Sequence, residues 1–342
     1  MKILTLLFLL LATVFFQRSQ AQMPDSVRRF VDSALNIMQN NSIYAKQLNW
    51  KSIRTKTFSL SANAQTYQQT GDALRFAFNA LNDKHGWLVL NDVDYRNPRF
   101  PPDTSRITQN IKDVAMKGPR IYTALVADQY AYVSIPFFGG QTTAGMNAFA
   151  QRIQDSLCKN ISPRVKGIII DLRLNAGGNM YPMLVGISNV LGDGVLSISR
   201  DNKGNIVGKT EMKNASLILL DTMIVKLQHT CGDLTKLPVA VIIGPVTGSA
   251  GECMAVALRG RKNTKLVGET TSGYTSSNQG YLLPGQNNGI VIGVDFLHDK
   301  NGKAYLENVQ PDIRVTGGDD FFNHASDKKI LAAVKWLKAQ KN

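Results

Sequence analysis

Three short apolar runs constrain the architecture of this chain more than any other feature: KGIIIDL at 166–172, LPVAVIIG at 237–244 and KLVGE at 265–269. They lack the polar alternation of a half-exposed strand and are too short for a buried helix, which is the pattern of strands covered on both faces. Segments of helical spacing lie between them. Met146, Phe149, Ala150, Ile153 and Leu157 recur on one face before the first run, Tyr181 to Leu191 reads as a helix after it, and AGECMAVALRG follows the second. A last helix is expected over about 327–338, with Ile330, Ala333, Val334 and Leu337 inward. This alternation predicts an α/β core. RIYTALVADQYAYVSIP reads as a hairpin turning at Asp128-Gln129, and GYLLP with GIVIGVDFL as a strand pair.

The N-terminal third reads differently. Residues 1–21 have the form of a secretory signal, with Lys2, an apolar Ile3 to Phe16, and a small residue, Ala21, at the expected cleavage point. Residues 22–95 are expected to be a helical region, since Leu74, Ala77, Phe78 and Leu81 fall at i, i+3, i+4 and i+7. The polar, Pro-rich residues 96–119 read as a linker, and 120–342 as the core domain. The expected localisation is therefore exported, periplasmic or extracellular, with no transmembrane anchor once the signal is cleaved.

A formal charge of +14 invites a nucleic-acid reading, but the basic residues are dispersed and no run reaches five. No nucleic-acid partner is expected. Three cysteines, Cys158, Cys231 and Cys253, leave at least one free or paired between chains in an exported protein. Their spacing and that of the four histidines match no metal motif, so neither a metal nor another cofactor is expected.

Ser249 is the first candidate for chemistry. In GPVTGSAGE it stands where a strand gives way to a helix, and free amides at a helix start can hold an oxyanion, that of Ala250 in particular. The same text fits a capping box, Ser249 with Glu252, so nucleophile and helix cap are both open at this level. A nucleophile needs a base, and His85 in LNDKHGW or the downstream His298 and His324 could supply it. An esterase elbow of the Gly-x-Ser-x-Gly form is disfavoured by Thr247. Gly177 and Gly178 in DLRLNAGGN offer uncovered amides, either as an anion-holding nest or as a plain turn.

GIIIDLRLNAGGN, PVAVIIGPVTGSAGE, KLVGETTSGYT and YLENVQPDIRV, in this order over roughly 120–316, resemble the catalytic domain of the C-terminal-processing (tail-specific) serine peptidases, the S41 type. ALNDKHGWL resembles the Asp-x-His segment upstream of that domain. The resemblance implies a ClpP/crotonase-like α/β core, a peptide or protein substrate, and Ser249 as nucleophile. It also implies an oxyanion hole from Ala250 with Gly177 or Gly178. Ser-Lys members carry Lys where Tyr274 stands, whereas Lys262 and Lys265 match no motif and read as exposed loop residues. The chain therefore looks closer to the tricorn and nisin-resistance branch, which implies His85 as base and Glu307 as an orienting carboxylate. Lys84 stands where tricorn has an auxiliary Ser. About 35 residues between Trp87 and the hairpin are too few for a PDZ domain. A non-catalytic binding module on the same fold is the rival reading.

Overall fold

The computed structural model describes residues 22–101 and 103–340; the expected signal segment lies outside them. The three apolar runs form adjacent strands Gly167–Asp171, Val239–Ile243 and Thr264–Gly268 of a six-stranded sheet. Its order runs from Ile313–Arg314 through these to Tyr130–Ser134 and Tyr122–Val126, parallel except for the last pair. The first two of these strands, 167–171 and 239–243, are buried at every position, as strands covered on both faces must be. Ile168, Ile170, Val239 and Val241 face the helices Thr143–Cys158 and Ala250–Arg259, while Ile169, Ala240 and Ile242 face Lys328–Lys338. The expected helix over 181–191 is two short ones, Met180–Val185 and Ser188–Leu191. The chain leaves helical geometry at Ile187, and Gly186 before it packs closely, since a Cβ there would lie 2.6 Å from Ile153 Cβ.

Buried polar groups lock the last helix to this sheet. Arg173, fully buried, donates to Asp171, Asp319 and Asp327, and Lys329 bridges Asp319 and Glu269. Such a network is retained only when its partners satisfy one another, since an unpaired buried charge costs several kcal/mol.

The N-terminal region is less separate than its helical period suggests. Helices Asp25–Asn41, Trp50–Leu60 and Gly71–Leu81 are followed by strands Trp87–Leu90 and Val93–Tyr95. The first of these strands pairs antiparallel with Gly289–His298, Trp87 opposite Val291, and the latter also pairs with Ser276–Leu282. Phe30, Leu35, Met38, Leu74 and Phe78 share a core with Leu88, Ile290 and Ile292. The expected boundary at residue 95 is thus crossed by a sheet, and the expected linker over 96–119 contains the helix Gln109–Met116, capped by Thr108. A further antiparallel meander, Gly194–Arg200, Ile206–Lys213, Ser216–Leu219 and Thr222–Lys226, has no counterpart in the sequence reading. Lys262 is an exposed turn residue; Lys265, expected in a loop, is exposed on a strand.

A disulfide joins Cys158, at the end of the 143–158 helix, to Cys231, and Cys253 is free. Among the described residues no helix is long and apolar enough to cross a membrane. Because Phe78 is fully buried between the helices and the shared sheet, Phe78→Ala is expected to destabilise the whole protein by about 3–5 kcal/mol in chemical denaturation. A change confined to a separate early melting step would contradict the shared core.

Candidate active site

Ser249 closes the turn after the Val239–Ile243 strand and caps the Ala250–Arg259 helix. Its backbone sits at φ 50°, ψ −112°, outside the extended geometry usual for a capping residue. A non-glycine residue held there costs roughly 1–3 kcal/mol and persists only when its surroundings over-determine it. The surroundings are specific. Thr247, buried, donates its hydroxyl to the Leu172 carbonyl at 2.8 Å and accepts from the Gly244 amide, and the Gly248 amide donates to the Asn175 carbonyl. Thr247, which counts against an esterase elbow in the sequence, is the pin that ties this turn to the neighbouring strand end.

Glu252 is the centre of the arrangement. Its buried carboxylate accepts from the amides of Ser249 (2.9 Å), Gly273 (2.9 Å) and Tyr274 (2.8 Å) and from the Thr271 hydroxyl. The expected capping box is therefore one strong arm from Glu252. The reverse arm, from the Glu252 amide to Ser249 Oγ, is only approximate and falls short of hydrogen-bond geometry. Burial raises the Glu252 pKa, and these four donors oppose the rise. The serine hydroxyl is left unspent by the cap.

The Gly-rich turn abuts the serine. A Cβ on Gly177 (φ 124°) would meet Ser249 Cβ at 2.9 Å, so only glycine lets the two loops close. The Gly177 amide is committed to Asn175 Oδ1 at 3.1 Å. Among the described residues, the amides of Gly178 and Ala250 have no partner, and Gly178 is exposed. Of the two glycines expected as oxyanion donors, Gly178 has the free donor and Gly177 provides the close fit.

His85 reaches this region from the N-terminal side. Asp83, fully buried, accepts from the amides of His85 (2.8 Å), Gly86 (2.9 Å) and Gly293 (2.8 Å), which fastens the Asp-x-His turn to the 289–298 strand. Gly86 is required there, since a Cβ would lie 2.6 Å from the Val291 carbonyl oxygen. His85 Nδ1 lies 2.9 Å from the Ser276 carbonyl oxygen, which selects the tautomer with a proton on Nδ1 and a free Nε2. Burial lowers the His85 pKa, opposed by the Ser276 bond and Asp83 and reinforced by Arg96 and Lys84. Tyr274 stands between the two halves: its ring centroid is 5.2 Å from that of His85, and its Cδ2 would lie 3.2 Å from a Cβ on Gly248. Lys84 donates to the Ser272 carbonyl and lies over the Tyr274 ring. Among the described residues no hydrogen bond joins His85 to Ser249, a contact that free enzymes often form only with substrate.

Glu307 is placed differently. Its backbone carbonyl lies against Gly273, while its side chain is exposed and takes no hydrogen bond among the described residues. His229 is exposed beside Asp155, His298 is buried near Asp295, and His324 packs at a tilt against Tyr132. Among the described residues none of the three pairs with the serine turn. The sequence names none of Asp83, Thr247 and Glu252 as a site residue, although Asp83 is the Asp of the Asp-x-His segment and the spacing of Glu252 from Ser249 marks a helix start.

Residues 129–315 match the model of Peptidase family S41. The chain belongs to this family. It is 28% identical over 329 residues to the nisin-resistance protein of Lactococcus lactis subsp. lactis, covering 93% of this chain and 89% of the relative. It is 26% identical over 252 residues to a carboxy-terminal-processing protease of Bartonella bacilliformis, covering 72% of this chain and 51% of that one. The fold is similar to a lipoprotein from Streptococcus agalactiae, with TM-score 0.66, 20% identity, and coverage of 93% of this chain and 98% of the other. It is also similar to the photosystem II D1 C-terminal processing protease, with TM-score 0.59, 16% identity, and coverage of 85% and 93%. The core is that of an S41 serine peptidase, a hydrolase of peptides or proteins.

Glu252→Gln turns an amide group toward donors that now meet a carboxylate. It is expected to lower stability by about 1–3 kcal/mol and to reduce labelling of Ser249 by a fluorophosphonate. Glu307→Gln, at an exposed position, is expected to change stability by less than about 0.5 kcal/mol. Equal effects in thermal and labelling measurements would contradict the central place of Glu252.

Proposed function

We propose that the protein is an exported serine endopeptidase in which His85 is the base for Ser249. The observation that carries the reading is the strained Ser249 backbone, with its hydroxyl left out of strong capping and flanked by the free Ala250 amide. An ordinary cap has no need of that conformation. In the proposed sequence, His85 Nε2 takes the Ser249 Oγ proton as the oxygen attacks a peptide carbonyl. The Gly178 and Ala250 amides hold the oxyanion. The imidazolium, supported through Nδ1–H by the Ser276 carbonyl, then protonates the leaving amine. Water, deprotonated by the same histidine, hydrolyses the acyl-enzyme.

In this scheme the Ser276 carbonyl does the orienting commonly done by a carboxylate, and the exposed Glu307 has no step. Tyr274 at the position of a Ser-Lys lysine supports a histidine base. Export is supported by the Cys158–Cys231 disulfide, a bond that persists in oxidising compartments, and by the form of residues 1–21. Similarity to the nisin-resistance protein and to a lipoprotein points the same way.

Ser249→Ala is expected to abolish fluorophosphonate labelling and to lower peptide cleavage by at least about 10³-fold. Persistent labelling would move the nucleophile elsewhere. The pH profile tests the base. The buried imidazole resists protonation, and a base must be neutral, so kcat/KM should hold at neutral pH. It should fall only as pH drops through a limb below the ordinary histidine value of about 6.5. A limb above that value, or one unchanged in His85→Gln, would exclude His85.

A further inference from the structure

A cavity of about 480 Å³ opens at the C-terminal ends of the Tyr130–Ser134 and Gly167–Asp171 strands and has no part in the chemistry above. This is a size typical of ligand pockets, roughly 300–1,000 Å³. Tyr122, Tyr132, Ile135, Leu174 and Phe321 line it, and Lys117 and Arg120 stand at its edge. Phe321 is backed by Arg173, whose guanidinium carbon lies 4.3 Å from the ring centroid. Asp171, the carboxylate lining it, is already committed to Arg173 and to the Tyr132 hydroxyl. Lys117 and Arg120 are exposed and join no ion pair among the described residues; Lys117 Nζ rests 5.0 Å from the Phe322 ring centroid. The cavity is therefore apolar within and positive at its mouth.

Its position relates it to the serine. Leu174 is three residues before Gly177, which packs on Ser249 Cβ, and three trans peptide units span at most about 11 Å. Ile135 is three residues before Phe138, whose carbonyl accepts from the Asn179 amide and lies against Gly178. The same two loops thus wall the cavity and form the turn assigned to the oxyanion.

We propose that this cavity is a specificity subsite that receives a large apolar side chain, aromatic or branched aliphatic, of a peptide substrate, within about three residues of the bond presented to Ser249. Lys117 and Arg120 favour an acidic substrate residue beside that side chain and oppose a basic one. The proposal rests on the serine-peptidase reading and names the substrate class that reading leaves open. An isolated acidic peptide with no apolar residue lacks the main contact, and a cationic apolar peptide meets like charge at the mouth.

The test is cleavage profiling of a synthetic peptide library by the wild type, by Val114→Trp, which fills the cavity from the 109–116 helix, and by a Lys117→Glu/Arg120→Glu double variant. Folding is checked by thermal melting, and fluorophosphonate labelling of Ser249 is measured on the wild type. The wild type should prefer Phe or Leu to Ala at one position near the scissile bond by at least about tenfold, and Val114→Trp should remove that preference. The double variant, changed only at exposed side chains, should invert the preference for Glu over Lys at the adjoining position, an inversion that weakens in high salt. If the wild type is labelled at Ser249 but all three proteins give one profile, the subsite is overturned and the serine reading stands. If the wild type is neither labelled nor active, the reading beneath the proposal falls and takes it along. Should Val114→Trp fail to fold, the double variant decides the question alone.

Discussion

One buried carboxylate, that of Glu252, holds together the parts of the site that are most expensive to hold. It takes the Ser249 amide from its own helix start and the Gly273 and Tyr274 amides from the loop after the 264–268 strand. A carboxylate accepting several donors is stable in a low-dielectric interior where an unpaired one would not be. That local satisfaction offsets two costs at once: desolvation of the charge, and the unfavourable backbone of Ser249. Without such a tie, the serine would relax toward an ordinary capping geometry and the loop carrying Tyr274 would lose its register.

The sheet supplies the rigid frame on which this tie acts. Parallel strands deliver their following loops to one edge, and Asn175, Gly177, Thr247 and Ser249 all arrive there from adjacent strands. Cross-links between the loops then set their height: Thr247 to Leu172, Gly248 to Asn175, and Gly177 against Ser249. The Arg173 network does the equivalent work on the other face, fixing the C-terminal helix and the Phe321 wall of the neighbouring cavity. The proposed oxyanion donors, nucleophile and side-chain pocket therefore share one set of supports.

His85 comes to that edge by a different route. Its turn is fastened by Asp83 to the 289–298 strand, and its ring is aimed by the carbonyl of Ser276, at the start of the adjoining strand. The N-terminal helices consequently share a core with the sheet that positions the proposed base. Their core is continuous with the sheet that holds the histidine, so movement of this unit against the α/β core would change the approach of His85 to Ser249. Tyr274, in contact with both sides, is where such movement would be felt.

What the sequence determined by itself were the features written in local periodicity and composition. The strands at 167–171 and 239–243, the helical faces at 143–158 and 328–338, and the serine at a strand-to-helix turn follow from burial on both faces or on one stripe. The order of motifs was enough to indicate the peptidase resemblance. The meander at 194–226 was not read, although Leu196-Ser197-Ile198-Ser199 alternates in its first strand, because two of its tight turns, at Asn214-Ala215 and Leu220-Asp221, take positive φ without glycine. Only the tertiary structure decided which donors are free, which carboxylate ties the serine turn to the 271–274 loop, and that the N-terminal strands extend the sheet of 276–282 and 289–298. Each of these depends on groups from separate segments competing for the same hydrogen bonds: Asn175 claims the Gly177 amide, Glu252 rather than Glu307 meets the loop amides, and Asp83 binds Gly293 across more than two hundred residues. A local reading of Ser249 and Glu252 could describe a capping box, but the distant partners and the strained backbone made it a platform for the serine.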